Sequence, residues 1–285
     1  MKNQAGSVFV LKQLYKVSQN GQMVRTNPEH FRLHDSAISF NQRPRVFTTF
    51  VARKQHGHAS VIGLNHHLAR LEADAKRFAI RIPQVCLRDA IRESIAELGA
   101  LRGAEESLRA RVVLSDNTVE LFTDVFERRY APGTAISVCG FEKERAYPDS
   151  KTTLTEASLA AHAAASARGC QEALLVDGHG FVSEGAWSNL FWVDPAGALC
   201  RANGPALPGV TAALVSASRE VESRTVTVSE LLCAQEVLMT QSTHGITPVG
   251  SVDGQAIGNG SPGLLTHAIA DWYESLSEAE ENRLL

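Results

Sequence analysis

Residues 181–192, FVSEGAWSNLFW, place one carboxylate, Glu184, inside an apolar, β-prone run. Such a run reads as a buried strand, and a carboxylate buried there stays charged only beside a cation or a proton donor. The chain must therefore fold so that a distant group returns to Glu184. Three segments stand at suggestive distances: an isolated Lys151 upstream, Leu207-Pro208-Gly209-Val210-Thr211 downstream, and a turn rich in small hydroxyls, Gln241-Ser242-Thr243-His244-Gly245. Together they suggest a cofactor site.

A length of 285 residues with 44% hydrophobic content suits one large or two medium globular units with real cores. The net charge of −3 and scattered arginines offer no broad basic face, so no nucleic-acid partner is expected. Five widely spaced cysteines, without a Cys-x-x-Cys pair, fit reduced core thiols in a soluble cytoplasmic protein. No secretory pattern opens the chain and no apolar stretch approaches ~18 residues, so no membrane role is expected.

Hydrophobic periodicity predicts strands over 7–17 and 46–53 and a helix over 63–80, with Leu64, Leu68, Leu71, Ala75 and Phe78 on one face. A second helix is expected over 87–98. Strands over 110–114 and 118–126 flank Ser115-Asp116-Asn117, which is hairpin chemistry. The charged run 127–133, ending in Pro132-Gly133, reads as a linker. Beyond it, an Ala-rich helix spans 155–168 and stops at Gly169, strands follow over 172–176, 180–183 and 189–193, and a helical stretch covers 212–221. The fold class is α/β (α+β), with a smaller unit over 1–126, a linker over 127–137 and a larger unit over 138–285.

Each chemical candidate also has a plain structural account. Lys151 taken alone is a solvated lysine near a helix start, yet in an apolar pocket it would lose basicity and become an imine-forming nucleophile. Glu184 alone could cap turn amides; opposite an aromatic nitrogen base it would hold that nitrogen protonated. The amides and Thr211 hydroxyl at the helix start after Pro208-Gly209 form an anion site, to which Ser242 and Thr243 could add donors. Arg70 is either a surface arginine or a fixed charge for a phosphate. His56, His58, His66 and His67 make a metal site conceivable, but they lack a His-Glu-x-x-His pattern and nearby acidic ligands, so none is expected. Gly-x-Ser-x-Gly and the Gly-x-x-x-x-Gly-Lys-Ser/Thr loop are absent, against a common serine hydrolase or nucleotide phosphohydrolase.

The ordered set His66-x-x-x-Arg70-Leu71, Lys151, Gly169-x-x-Glu172 through Gly178, Val182-Ser183-Glu184-Gly185-x-x-Ser188-Asn189-Leu190-Phe191, Leu207 to Thr211 and Thr247-Pro248-Val249 resembles the class IV, fold-type IV pyridoxal-phosphate enzymes. These include branched-chain and D-amino-acid aminotransferases and aminodeoxychorismate lyase. The resemblance spans roughly 40–280 and implies a two-domain, D-amino-acid-aminotransferase-like fold, with pyridoxal 5'-phosphate between the domains of a homodimer subunit. By that likeness Lys151 is the Schiff-base lysine and proton shuttle, and Glu184 pairs with the pyridine nitrogen. Arg70, Val210, Thr211, Ser242 and Thr243 cradle the phosphate, and Asn189 supports the Glu184 turn.

Departures bear on the substrate. Arg43-Pro44-Arg45 replaces a frequent Gly-Asp-Gly before the strand that carries Phe47; Glu156 stands where branched-chain enzymes carry tyrosine; Asp116 occupies the place of a common arginine. Arg109 and Arg111 alternate on a strand, so one of them can bind a substrate carboxylate. Phe47 and Arg45 are further substrate candidates, and the arginines flanking Pro44 suggest a dianionic or aromatic acid. The expected activity is transamination between an amino acid and a 2-oxo acid. The alternatives are β-elimination releasing pyruvate, as in the lyase, and a cofactor-binding scaffold without turnover.

Overall fold

The computed structural model describes residues 12–17, 22–33, 44–55, 58–100 and 107–284. Arg43, His56 and Gly57, and the first part of the strand expected over 7–17, lie outside the described residues.

The first half builds an antiparallel sheet from β1 (Lys12–Val17), β2 (Met23–Thr26), β3 (Val46–Gln55), β4 (His58–Ser60), β5 (Leu108–Ser115) and β6 (Thr118–Val125), in the order β2-β1-β6-β5-β3-β4. The hairpin between β5 and β6 closes at Ser115 and Thr118, with Asn117 in the left-handed region (φ 55°) that asparagine tolerates better than most residues. Helices α1 (Leu64–Arg77) and α2 (Leu87–Ala100) join the same hydrophobic core through Leu64, Leu71, Ala75, Ile91, Ile95 and Leu98. Helix α1 ends before the expected 80: Ala79 turns left-handed (φ 50°) and the Ile80 amide donates back to the Ala75 carbonyl at 2.8 Å. Its sequence periodicity runs on past that stop through Phe78, which packs on the core outside the helix.

The second half forms a mixed sheet. Its strands are β7 (Ile136–Glu142), β8 (Glu172–Val176), β9 (Val182–Gly185), β10 (Asn189–Val193), β11 (Leu199–Ala202), β12 (Glu222–Arg224), β13 (Glu236–Gln241), β14 (Gly245–Val252) and β15 (Gln255–Ala256). The order is β12-β11-β10-β13-β14-β7-β8-β9, with β15 on β14. Its helices are α3 (Glu156–Ala167), α4 (Val210–Ser218), the short α5 (Val228–Leu231) and α6 (Leu264–Ser275). Helix α3 is the crossover between the parallel strands β7 and β8.

Strand β10 explains why its sequence is apolar without alternation. Leu190 and Trp192 enter one core cluster, while Phe191 and Val193 enter another with Val215 of α4 and Ile269 of α6. A strand covered on both faces has no polar side. Burying each such side chain contributes ~1.5–3 kcal/mol. Strand β9 begins at Val182, where 180 was expected, because Asp177 closes the preceding turn: its Oδ1 accepts from the amides of His179 and Phe181, both at 2.9 Å. Helix α4 begins at Val210, ahead of the expected 212.

The C-terminal segment crosses back to the first half. The Val61 amide donates to the Asn282 carbonyl and the Leu284 amide to the Ala59 carbonyl, both at 2.8 Å, and Leu284 joins the first core cluster.

Candidate active site

The Lys151 segment is held against the N-terminal end of β3. The Phe47 amide donates to the Lys151 carbonyl at 2.9 Å, Thr152 bridges Val46, and the Lys151 amide donates to Asp74 of α1 at 3.1 Å. The lysine side chain is thereby drawn inward, its ammonium 5.0 Å from the Phe47 ring centroid. Burial, and then the charges of Arg70 and Arg145, push the Lys151 amine down to about 7, against the pull of Glu184 and Asp74. The free amine is therefore accessible far below the pH at which an ordinary lysine loses its proton.

Glu184 lies within β9, opposite Leu175, and not in a turn. It is 4% exposed. One oxygen accepts from Arg145 Nε at 2.7 Å and the other from the Leu207 amide at 3.0 Å. Burial raises its carboxyl, opposed by Arg145, the Leu207 amide and Lys151. Each carboxylate oxygen keeps a second lone pair for another donor. Asn189 holds the same loop from the other side, its Nδ2 donating to the Leu207 carbonyl at 2.9 Å. The loop continues into Gly209, where an added Cβ would lie 1.9 Å from Asn189 Oδ1 and would displace that side chain. Helix α4 starts there, and the amides of its first turn have no acceptor within the helix.

Arg70 reaches this helix start. Its NH1 donates to the Pro208 carbonyl at 3.3 Å and its NH2 to Thr48 Oγ1 at 3.2 Å, while its Nε is buried with no partner. Burial pushes the guanidinium down to about 10. A cation buried beside orphaned donors calls for an anion.

A cavity of about 310 Å³ unites these groups: its walls include Arg70, Lys151, Asn189, Val210, Thr211, Ser242 and Thr243. A smaller recess of about 30 Å³ adjoins it through Phe47, Lys151 and Asn189 and contains Glu184 and Arg145. The amine, the acid and the candidate anion cradle thus line two adjoining hollows. Ser242 and Thr243 sit in the turn between β13 and β14, where Thr243 Oγ1 donates to Gln241 at 2.9 Å.

The family model of amino-transferase class IV matches residues 45–252. The chain belongs to that family. This class IV aminotransferase is 27% identical over 291 residues to the branched-chain-amino-acid aminotransferase of Escherichia coli strain K12, with 92% of each covered. The solved structure of the Escherichia coli branched-chain amino acid aminotransferase matches with a TM-score of 0.76 at 25% identity, over 93% of this chain and 94% of that one. A branched-chain amino acid aminotransferase from T.th., solved with pyridoxamine 5'-phosphate, shares the fold at a TM-score of 0.75 and 23% identity, over 94% and 95% of the two chains. The protein is a pyridoxal-phosphate-dependent enzyme of amino acid transamination with the fold-type IV, α+β architecture. Its hollow fits the cofactor: an inward amine, a buried carboxylate with spare lone pairs, and a guanidinium at a helix start whose Nε has no partner.

The aminotransferase cavity extends past Lys151 to Phe47, Arg109 and Arg111. Both arginines line it, since residues two apart on a strand share a face, where the sequence required this of only one of them. They share Asp124 of β6: Arg109 Nε donates to it at 3.0 Å and Arg111 NH1 lies 3.5 Å away. Burial and the neighbouring Arg109 push Arg111 down to about 10. Arg45 does not line the cavity. It precedes β3, and its guanidinium is drawn off to Glu120 at 3.2 Å and to the Arg32 carbonyl at 2.6 Å. Asp116 sits in the β5–β6 turn, bonded to Arg81 at 2.7 Å. Glu156 opens α3 on its exposed side. The histidines do not converge: His58 and His66 are exposed and His67 is buried, and among the described residues no His, Cys, Asp and Glu group could hold a metal ion.

Sequence reasoning missed Arg145, hidden in the charge run Glu142-Lys143-Glu144-Arg145, which resembles a solvated strand end. It also missed Asp124, which pairs with two arginines across a strand, and the wall residue Glu172, a buried carboxyl pushed up to about 7 by burial.

Proposed function

We propose that this aminotransferase takes an amino acid whose second carboxylate is received by Arg109 and Arg111, and returns the matching 2-oxo acid. The observation that carries this reading is one of charge: two partly buried guanidinium groups share the single carboxylate of Asp124 on the wall of the cavity that holds Lys151. The imbalance favours one further anion. His244, on the same cavity, is pushed down to about 4 by burial and by Arg128, Arg129 and Arg109, which supports a positive potential there. The apolar surfaces of Phe47, Phe126 and Leu159 suit an aliphatic side chain in the other half-reaction, like that of the branched-chain substrates named for the relatives.

Bound in the hollow, pyridoxal phosphate supplies an electron-withdrawing ring that acidifies the α-carbon of an attached amino acid. Lys151 anchors the cofactor and moves the proton at that carbon, as its near-neutral basicity suits. Glu184, steadied by Arg145 and the Leu207 amide, holds the ring nitrogen's proton. Arg70, the amides of Val210 and Thr211, and the turn at Ser242 and Thr243 receive the phosphate. A 2-oxo acid acceptor is required, which separates this chemistry from pyruvate-releasing elimination.

The enzyme works as a cytoplasmic homodimer of two-domain subunits. Five free cysteines support the compartment, Leu159, 42% exposed on the cavity wall, supports a covering partner copy, and two core clusters drawn, apart from Leu284, each from one half support units 1–126 and 138–285 joined by 127–137.

The test compares glutamate with leucine as donor. Arg111→Met is expected to lower kcat/KM for glutamate by ~10- to 100-fold, the loss of a charged hydrogen bond, with little change for leucine. Equal losses for the two donors would refute the carboxylate assignment.

A further inference from the structure

We propose that Thr48 and His67 are positioning residues for the cofactor's phosphate, acting through a buried hydrogen-bond chain that fixes where the Arg70 guanidinium points. The proposal rests on the assignment of Arg70 to the phosphate.

Thr48 lies on β3, and His67 precedes Arg70 by three residues on α1, so the two helical side chains share a face. Thr48 and His67 are both 0% exposed. The Thr48 hydroxyl oxygen stands 2.7 Å from His67 Nδ1 and accepts from Arg70 NH2 at 3.2 Å. The proton arrangement follows from what each group can do. A guanidinium only donates, so the threonine oxygen turns a lone pair toward Arg70 and its hydrogen goes to His67 Nδ1. The imidazole is then the neutral tautomer with its hydrogen on Nε2. Burial, with Arg70 and Lys151 nearby, pushes its pKa well below the usual value, so the ring stays an acceptor.

The other ring nitrogen shows that the histidine is not merely core filler. His67 Nε2 is buried without a partner, while the ring packs on Phe50 with centroids 5.4 Å apart. An apolar side chain at this place would avoid that desolvation cost. What His67 adds is an acceptor at Nδ1, which stops the Thr48 hydroxyl from rotating its hydrogen toward the guanidinium. Arg70 is then gripped at two points, Thr48 and the Pro208 carbonyl, with its unpartnered Nε left for an anion. With a phenylalanine at 67 the hydroxyl would be a free rotor and one grip would weaken.

The test titrates apo-protein with pyridoxal phosphate and, separately, with pyridoxal, which lacks the phosphate. His67→Phe and Thr48→Val are each expected to weaken pyridoxal phosphate binding by about tenfold, ~1.4 kcal/mol, and to leave pyridoxal binding unchanged. His67→Asn, which restores an acceptor, and Thr48→Ser, which restores the hydroxyl, are expected to recover most of the loss. The double variant should bind no worse than either single, because both break one chain. Wild-type binding in both single variants would overturn the proposal, as would equal losses for the two ligands. Arg70→Gln separates the levels. If it leaves pyridoxal phosphate binding intact, the phosphate assignment itself fails; if it weakens binding while His67→Phe and Thr48→Val do not, only the positioning chain fails.

Discussion

The Lys151 amine is depressed to about 7 chiefly because its charged form is cut off from water. The consequence is a pH dependence with a definite sign. In the proposed role of Lys151, cofactor capture needs the free amine, so the rate at which apo-protein takes up pyridoxal phosphate should rise through about pH 7 and level off above it. A stopped-flow absorbance series checks this; a rate still climbing at about pH 10, near the ordinary lysine value, would show that the amine is not desolvated. Lys151→Ala should abolish turnover and leave thermal stability equal or higher, since a group that is costly to bury is removed. The burial of Glu184 was legible in the sequence because it is an ionisable residue in an apolar run, whereas Lys151, set among Asp149, Ser150, Thr152 and Thr153, stood out only through its place in the family order. Arg145 was not legible, since a residue in a charge run shows nothing of which way it turns. Arg45 misled for the converse reason: a long side chain just outside a strand goes where a carboxylate and a carbonyl draw it.

Helices α1 and α4 carry the proposed anion site together, and they meet at a glycine. Gly63 precedes α1 at φ 68°, and a Cβ there would stand 2.8 Å from Val210 Cγ1 at the start of α4. Its amide is held by Asn282 Oδ1 at 2.9 Å. Gly63→Ala combines left-handed strain of ~1–2 kcal/mol with a clash that separates the helix carrying Arg70 from the helix carrying Thr211. The expected result is lower stability in denaturant melts and a larger fractional loss of pyridoxal phosphate affinity. Unchanged affinity in a destabilised variant would mean that the spacing of these helices does not matter to the cofactor. Most elements of the second half could be read from local signals: the Pro208-Gly209 start of α4, the Gly169 stop of α3, the β-branched and aromatic run of β10. The pairing of the strands could not, because β7 between β8 and β14, or β10 between β11 and β13, depends on contacts far apart in sequence.

At the scale of the molecule, buried charge taxes stability, and Glu172 is the clearest case. Its carboxyl stands at about 7 in the fold against an ordinary value of 4.5, so the native state holds a proton that the unfolded chain has released across that interval. Stability should therefore fall as pH rises from about 4.5 to 7 and then stay lower, by ~3 kcal/mol as an upper figure. Glu172→Gln, which mimics the protonated acid, should remove that slope in urea melts across pH. A variant with the same slope as wild type would place the titration elsewhere. The α+β class and the family could be read from motif order, whereas the return of Asn282 and Leu284 to the first sheet could not, since nothing local marks those residues as belonging with Ala59 and Val61.

The hollow is walled by β3 and β5 on one side and by β10, β13 and the start of α4 on the other. Any molecule lodged there touches both sheets at once and has no equivalent seat on either alone. Pyridoxal phosphate held there as proposed would consequently be a mechanical staple as well as a reagent: by mass action its binding would stabilise the fold that brings the two slabs together, and its loss would cost stability along with activity.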